Sequence, residues 1–339
     1  MIGIGVVGYG YWGPNLVRNF MSCAGATVVA VADGRPERRA AVEKLYPAVT
    51  TFASDDDLIA DPRVDAVVIA TPVTTHHPIA MAAIAAGKHV LVEKPMTDRP
   101  ETSRELVAAA ARAGVVLMVD HTFVYTSAVR RIAELVRSGE LGKLYYYDSV
   151  RVNLGLFQSD VSVIWDLAVH DLSIMDHLLG RAPRTVSATG AAHVPDQPVN
   201  IAYLTCLFDD DLIAHFHVNW LAPVKVRQTL IGGSEKMVVF DDVDMSEKVK
   251  VYDKGLVYAD QSESSLVQKR VGYRTGDMWA PRLDNVEALA VEADHFVECI
   301  VNGTTPITDG SSGLRVVEIL DAATRSLALG GAPVALDAP

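Results

Sequence analysis

Cysteine is scarce in this sequence. Cys23, Cys206 and Cys299 are the only three in 339 residues, and they lie far apart with no CxxC pair. That spacing argues against a disulfide framework or a structural zinc site and leaves buried free thiols as the expectation. Basic charge is also short: 30 Lys and Arg stand against 42 Asp and Glu, a formal charge of -12. This balance disfavours a diffuse nucleic-acid surface, so no nucleic-acid partner is expected. No uninterrupted apolar stretch reaches the roughly 18 residues of a membrane span, and no membrane partner is expected. The first apolar run has no basic region before it and enters a glycine turn by Gly8. It reads as a first strand and not as a signal peptide, which makes the cytoplasm the default location. Repeats, coiled coils and long polar linkers are missing too. What is present is an ordinary globular balance, 50% hydrophobic and 21% charged, at a length that suggests two domains.

The order of elements supplies the fold class. Apolar, β-rich runs at 2–7, 27–32, 65–70, 89–92 and 115–119 alternate with helical stretches at 12–24, 35–45, 78–86 and 99–113. Gly87 and Gly114 stop two of those helices. Most of the strands are apolar on both faces, as the strands of a covered parallel sheet are. The expected class is α/β, with an N-terminal Rossmann-type, doubly wound parallel sheet over residues 1–120. After that the pattern changes. A helix at 127–138 precedes runs at 145–153, 186–192, 201–208, 212–220, 226–231 and 237–240. Asp209-Asp210-Asp211 and Gly232-Gly233-Ser234 look like hairpin turns. A helix at 163–179 interrupts the strands, and two more at 285–301 and 311–329 close the chain. Residues 121–335 are therefore expected as an α+β domain on a mostly antiparallel open sheet. Within it, the polar stretch Tyr252–Thr275 reads as loop with some strand.

Gly8-Tyr9-Gly10-Tyr11-Trp12-Gly13 sits between the first strand and the first helix. Gly8 permits a tight turn, Gly10 removes a side chain that would block a pyrophosphate, and Gly13 allows close packing of helix on sheet. The helix N-terminus then offers unpaired N–H groups to phosphates. Asp33 ends the second strand, 20 residues after Gly13, where a carboxylate accepts both adenosine-ribose hydroxyls. The expectation is a nicotinamide dinucleotide. Asp33 would repel a 2′-phosphate and argues for NAD over NADP. Arg35, Arg38 and Arg39 work the other way, since one of them can stack on adenine or reach a phosphate.

Four blocks occur in order along the chain: Val7 to Leu16, Thr71-Pro72-Val73-Thr74-Thr75-His76, Glu93-Lys94-Pro95, and Asp166-Leu167-Ala168-Val169-His170-Asp171. Taken together they resemble the Gfo/Idh/MocA family, whose members include glucose–fructose, inositol and nucleotide-sugar oxidoreductases. Asn153-Leu154-Gly155, Trp165-Asp166-Leu167 and Pro306-Ile307-Thr308-Asp309-Gly310 are similar to the branch containing nucleotide-sugar 3-dehydrogenases. Glu287-Ala288-Leu289 lacks the proline of that branch's E-P-L segment. Asp120-His121 departs from the Asn-containing segment of some sugar and inositol dehydrogenases. The resemblance implies hydride exchange between nicotinamide and a secondary ring alcohol of a sugar, nucleotide sugar or cyclitol. It also implies an open sheet that covers the substrate and makes subunit contacts, hence a homodimer or homotetramer.

The catalytic set so implied is Lys94, His170 and Asp166. Lys94 follows the fourth predicted strand at the edge where open α/β sheets bind ligands, and its ammonium suits charge developing on a substrate oxygen. Asp166 and His170 are four apart in a predicted helix and share a face. An imidazole there suits a general base, with Asp166 orienting it or binding a neighbouring hydroxyl. The cofactor side comprises Gly8, Gly10, Tyr11, Trp12, Gly13, Asp33, Thr71, Pro72, His76, Glu93 and Lys94, with Glu93 touching ribose or fixing Lys94. The substrate side comprises His121, Tyr125, Arg151 and Asn153 with Asp166 and His170; Arg151 would suit a phosphate or carboxylate. Asp171 either binds substrate or satisfies local backbone donors. His215 and His217 share a strand face but lack a partner set, so no metal is expected. Two other readings compete. One is a dihydrodiol or biliverdin-reductase-like oxidoreductase, against which Lys94 with Asp166 and His170 weighs. The other is a noncatalytic NAD(H)-binding regulatory protein, which would need neither Lys94 nor His170.

Overall fold

The computed structural model describes residues 1–155, 161–258 and 271–336. The chain divides into two compact units, the first made of Met1–Thr126, Leu172–His177 and Asn285–Asp321, the second of the remainder. In the first unit, β1 (Ile2–Val7), β2 (Ala26–Ala32), β3 (Thr50–Phe52), β4 (Ala66–Ile69), β5 (His89–Glu93) and β6 (Leu117–Asp120) form one sheet. Its order is β3-β2-β1-β4-β5-β6 and every pairing is parallel. The order reverses between β1 and β4, which opens a crevice beyond their carboxyl ends. The connecting helices are α1 (Gly13–Ser22), α2 (Pro36–Leu45), α3 (Asp55–Ala60), α4 (His76–Ala85) and α5 (Pro100–Ala113). Proline opens α1, α2 and α5, where a missing N–H costs nothing. Strand β3 escapes the sequence pattern because three residues are too few to show alternation.

The second unit begins with α6 (Ser127–Arg137) and the long strand β7 (Leu144–Leu154). A single π-helical turn, Ile164–Ala168, leads into α7 (Val169–Leu179). Strands β8 (Thr185–Ala191), β9 (Ile201–Leu207), β10 (Ile213–Asn219), β11 (Leu221–Gly233), β12 (Met237–Asp241), β13 (Val249–Tyr252), β14 (Gly255–Tyr258), β15 (Val271–Arg274) and β16 (Met278–Trp279) follow. Together with β17 (Val334–Ala335) they build a nine-stranded sheet, order β16-β13-β12-β11-β7-β10-β9-β8-β17, while β14 and β15 pair on their own. All its pairings are antiparallel except β7 with β10. Alternation buries Ala202, Leu204 and Cys206 on β9 and Ala214, Phe216 and Val218 on β10. Of the polar stretch Tyr252–Thr275, residues 259–270 lie outside the described residues.

The second part of the chain is not one continuous body over 121–335. Residues 172–177 and 285–321 belong to the first unit. The reason is the apolar face of α8 (Ala288–Asn302), where Leu289, Ala293, Phe296 and Val297 recur at helical spacing. They share a core with Leu16, Val17 and Phe20 of α1, and Phe20 meets Phe296 edge to face at 6.2 Å. Each large side chain buried this way contributes roughly 1.5–3 kcal/mol, enough to fix where the returning helix packs. The last helix is α9 (Gly310–Ala328). Cys23, Cys206 and Cys299 are free and buried. Among the described residues no helix is long and apolar enough to cross a membrane.

Candidate functional site

The glycine turn follows β1 at the point where the sheet order reverses. Gly8 has φ +94°, and a Cβ there would lie 2.5 Å from the Ala70 carbonyl oxygen. A Cβ on Gly13 would lie 2.1 Å from the Gly8 oxygen. These two positions admit nothing larger. Gly10 is different: its nearest neighbour would be Arg35 Nη2 at 3.7 Å, so the space above it is open. Two glycines required by backbone contact and a third that leaves room fit a dinucleotide pyrophosphate.

Asp33, at the end of β2, is buried. Its Oδ2 accepts the Tyr9 N–H at 2.8 Å and Arg35 Nη2 at 2.7 Å, and its Oδ1 accepts the Arg35 N–H and Nε at 3.0 and 2.9 Å. Burial opposes the charge, but these donors outweigh it and bring the carboxyl down to about 2. Arg39 Nη1 donates to the Asp33 carbonyl at 2.7 Å. Arg35 and Arg39 therefore wrap Asp33, whereas Arg38 stays exposed.

The remaining cofactor-side candidates divide by what their polar atoms do. Tyr11 is 91% exposed. The Trp12 indole N–H donates to Asp120 Oδ2 at 3.0 Å. Thr71, after β4, accepts from the Thr75 hydroxyl at 2.7 Å, and Pro72 immediately precedes the short turn Val73–Thr75. His76 is buried, with Nδ1 3.0 Å from the Pro95 carbonyl oxygen and Nε2 2.9 Å from that of Thr71. Both nitrogens are taken by main chain, so His76 acts as a clip between two crevice segments and not as a direct ligand. Burial also pushes its pKa down.

Lys94 directly follows β5. Glu93 Oε2 accepts the Lys94 backbone N–H at 3.1 Å, and Glu93 sits opposite Asp120 in register. Of the two roles expected for Glu93, fixing Lys94 is the one with a bond behind it. Burial raises the Glu93 carboxyl, and the neighbouring Asp120 raises it further. His121 is buried, which drives its ring down to about 4 and keeps it neutral. Tyr125 bonds Thr308 Oγ1 at 2.9 Å and belongs to the apolar core of this unit. Its expected place in the substrate cleft is corrected: the ring packs inward and its hydroxyl is used internally.

Asp166, in the π turn of the second unit, accepts the Trp220 indole N–H at 3.1 Å. Trp220 is fully buried and runs against Gly155, where a Cβ would stand 2.3 Å from the ring. His170 is half-buried on the first turn of α7. The π turn widens the backbone by one residue, a distortion that concentrates at functional sites. Arg151 is also corrected. It does not offer its guanidinium to a ligand but pairs with Asp171, Nε to Oδ2 at 2.8 Å and Nη2 to Oδ1 at 2.9 Å, and both side chains are at most 5% exposed. Arg151 shares the buried face of β7 with Tyr147 and Ser149. Its partner Asp171 is structural. Asn153 donates to the Leu154 carbonyl at 3.1 Å. His217 stacks on Tyr203 at 4.5 Å, with His215 at 6.2 Å. Among the described residues no group of three His, Cys, Asp or Glu could hold a metal ion.

Residues 2–121 match the oxidoreductase family with NAD-binding Rossmann fold, and 129–239 match the GFO/IDH/MocA C-terminal domain. The chain belongs to the Gfo/Idh/MocA family. The uncharacterized oxidoreductase YdgJ of Escherichia coli is 36% identical, over 44% of this chain and 42% of that protein. The scyllo-inositol 2-dehydrogenase (NAD(+)) of Bacillus subtilis is 28% identical over 99% of this chain and 95% of that one. The solved UDP-N-acetylglucosamine 3-dehydrogenase GnnA of Acidithiobacillus ferrooxidans superposes with a TM-score of 0.82 at 27% identity, covering 96% of this chain and 98% of that one. As a member of the family, this chain is an oxidoreductase with an NAD-binding first unit.

Three site features were missed from sequence: Arg35 bound to Asp33, Trp220 on Asp166, and the buried carboxyl of Glu292 near Asp120. The first had a signal, an arginine two residues after the acid. The other two join segments 54 and 172 residues apart and left none.

Proposed function

We propose that this protein is an NAD-dependent dehydrogenase that interconverts a secondary ring alcohol and a ketone on a sugar, nucleotide sugar or cyclitol. The observation that carries the reading is Lys94 at the carboxyl end of β5, on the ligand edge of a sheet whose order reverses beside the glycine turn. Bound dinucleotide supplies a hydride acceptor at the nicotinamide. Everything else falls to side chains. The Lys94 ammonium hydrogen-bonds the substrate oxygen and stabilises negative charge as the hydroxyl proton leaves. His170 takes that proton as general base and returns it in reduction. Asp166, steadied by the Trp220 indole, orients the imidazole or a neighbouring hydroxyl. The open space over Gly10 and the bonded Asp33 support the dinucleotide, and Asp33 favours NAD over NADP.

The names of the two relatives above, a cyclitol and a nucleotide-sugar dehydrogenase, support a polyhydroxylated ring. The segments Asn153-Leu154-Gly155 and Pro306-Ile307-Thr308-Asp309-Gly310 favour the nucleotide-sugar branch and oxidation at the 3-position. The same reading assigns the outward face of the nine-stranded sheet to a subunit contact. Turnover of His170→Ala on a panel of polyols and nucleotide sugars tests the mechanism. It should fall by about 10²-fold or more while NADH binding survives. A near-wild-type rate at saturating substrate removes His170 as the base.

A further inference from the structure

Three carboxyl groups meet inside the first unit with too few donors between them. Asp120 Oδ1 takes the Thr122 hydroxyl at 2.5 Å and its Oδ2 takes the Trp12 indole. Glu93 Oε2 takes the Lys94 backbone N–H, and Oε1 is sealed from solvent with no partner. Glu292, on α8, is 0% exposed and neither of its oxygens receives any N–H or O–H. Thr122 also borders Glu292, but its single proton goes to Asp120. Two acceptor-only groups side by side cannot bond unless one of them carries hydrogen.

We propose that Glu292 is a positioning residue: it holds a proton and donates it in a hydrogen bond to Asp120, so that Asp120 can hold the Trp12 indole of the glycine turn. Glu93 also meets Asp120, but Lys94 partly offsets its burial, and the groups around Glu292 favour it as the proton's holder. From β5 come Glu93, whose charge repels, and Lys94. From β6 and the turn after it come Asp120, His121 and Tyr125. His121 is neutral and both its ring nitrogens lack a partner. Lys94 draws Glu93 toward its charged form and gives Glu292 no comparable help. An ionised Glu292 would stand fully buried and unpaired beside two other acids, which a protein avoids by protonating one of them. Burial, and then the Asp120 charge, push the Glu292 carboxyl upward, in agreement. The arrangement ties α8 to a turn 280 positions earlier.

The functional half of this inference rests on the reading that the turn binds NAD; the protonation half does not. Infrared difference spectroscopy of the intact protein at neutral pH tests the latter. The wild type should show the carbonyl band of a protonated acid, and Glu292→Gln should lose it. Retention of the full band in Glu292→Gln overturns the assignment. Should that variant not accumulate, a wild type without any protonated-acid band overturns it alone. For the positioning role, NADH titration compares Glu292→Gln, which keeps a donor to Asp120, with Glu292→Leu, which does not. Gln should bind within about twofold of wild type and Leu about tenfold more weakly, the size of one buried acceptor left unsatisfied. Equal losses in both would make Glu292 a packing residue and refute the role. A wild type that binds no dinucleotide would refute the NAD reading and leave the infrared result standing.

Discussion

Removing the charge of Asp171 should unfold this protein's second unit well before it harms chemistry. The Arg151–Asp171 pair is buried on both sides and doubly hydrogen-bonded. Arg227 lies opposite Arg151 in the strand register, so Asp171 and Asp242 together offset two neighbouring guanidiniums. The crowding is visible in Arg227, whose pKa is lowered first by burial and then by Arg151. Taking away one partner of such a pair leaves an uncompensated buried charge, at a cost of about 3–5 kcal/mol. Against a typical total of about 5–15 kcal/mol, Asp171→Ala forfeits roughly a fifth or more of the stability. Urea unfolding followed by fluorescence measures this as a fall in midpoint at constant slope. The paired replacement Arg151→Met with Asp171→Leu should recover most of the loss, because a matched apolar pair needs no counter-charge. At low temperature, where Asp171→Asn remains folded, its turnover should stay within about threefold of wild type. An unchanged unfolding midpoint together with lost turnover would assign Asp171 to substrate binding and refute the structural assignment.

Other outcomes follow from the same geometry. Gly13→Ala places a Cβ 2.1 Å from the Gly8 carbonyl, so NADH titration should show binding abolished, while Gly10→Ala, with 3.7 Å to spare, should fold normally and lose affinity only for dinucleotide. Asp33 sits at about 2 in the folded chain against an ordinary 3.8. A lowered folded pKa gives stability that is complete above the unfolded value and is lost as pH falls toward 2. Arg35→Ala should therefore raise the midpoint of acid unfolding and cost about 1 kcal/mol at neutral pH, the half-exposed guanidinium being screened by solvent; an unmoved acid transition contradicts this. The wild type should prefer NAD to NADP by at least about tenfold in kcat/KM, and Arg35→Ala should widen the ratio by leaving Asp33 uncompensated. Equal use of both cofactors would reject the role of Asp33.

Much of the first unit was legible because its signals are local. A strand, three spaced glycines and an acid at the end of the next strand lie within Ile2–Asp33, and each has a backbone reason. The mostly antiparallel sheet was legible for the same reason, through alternation and short turns. What was not legible depends on distant partners. Nothing in the apolar face of α8 says that it packs on Phe20 instead of on the strands just before it. Alternation along β7 names two faces for Arg151 but not which one is inward. Tyr125 carries a polar tip that suits a cleft equally well, and only Thr308 decides otherwise. The π turn at Asp166 differs from an α-helix by one inserted residue, which periodicity over a short segment cannot register.

The central claim is that hydride passes from a ring carbon of the substrate to nicotinamide, with Lys94 and His170 managing the oxygen and its proton. It is tested most directly with UDP-N-acetylglucosamine and scyllo-inositol carrying deuterium on the carbinol carbon, incubated with NAD and the protein. Mass spectrometry of the recovered dinucleotide should find deuterium in the reduced form from at least one of the two, with the label transfer slowed about 10²-fold or more in His170→Ala. Tight NAD binding with no label transferred from either ring, or transfer at an undiminished rate in both Lys94→Ala and His170→Ala, would contradict the account.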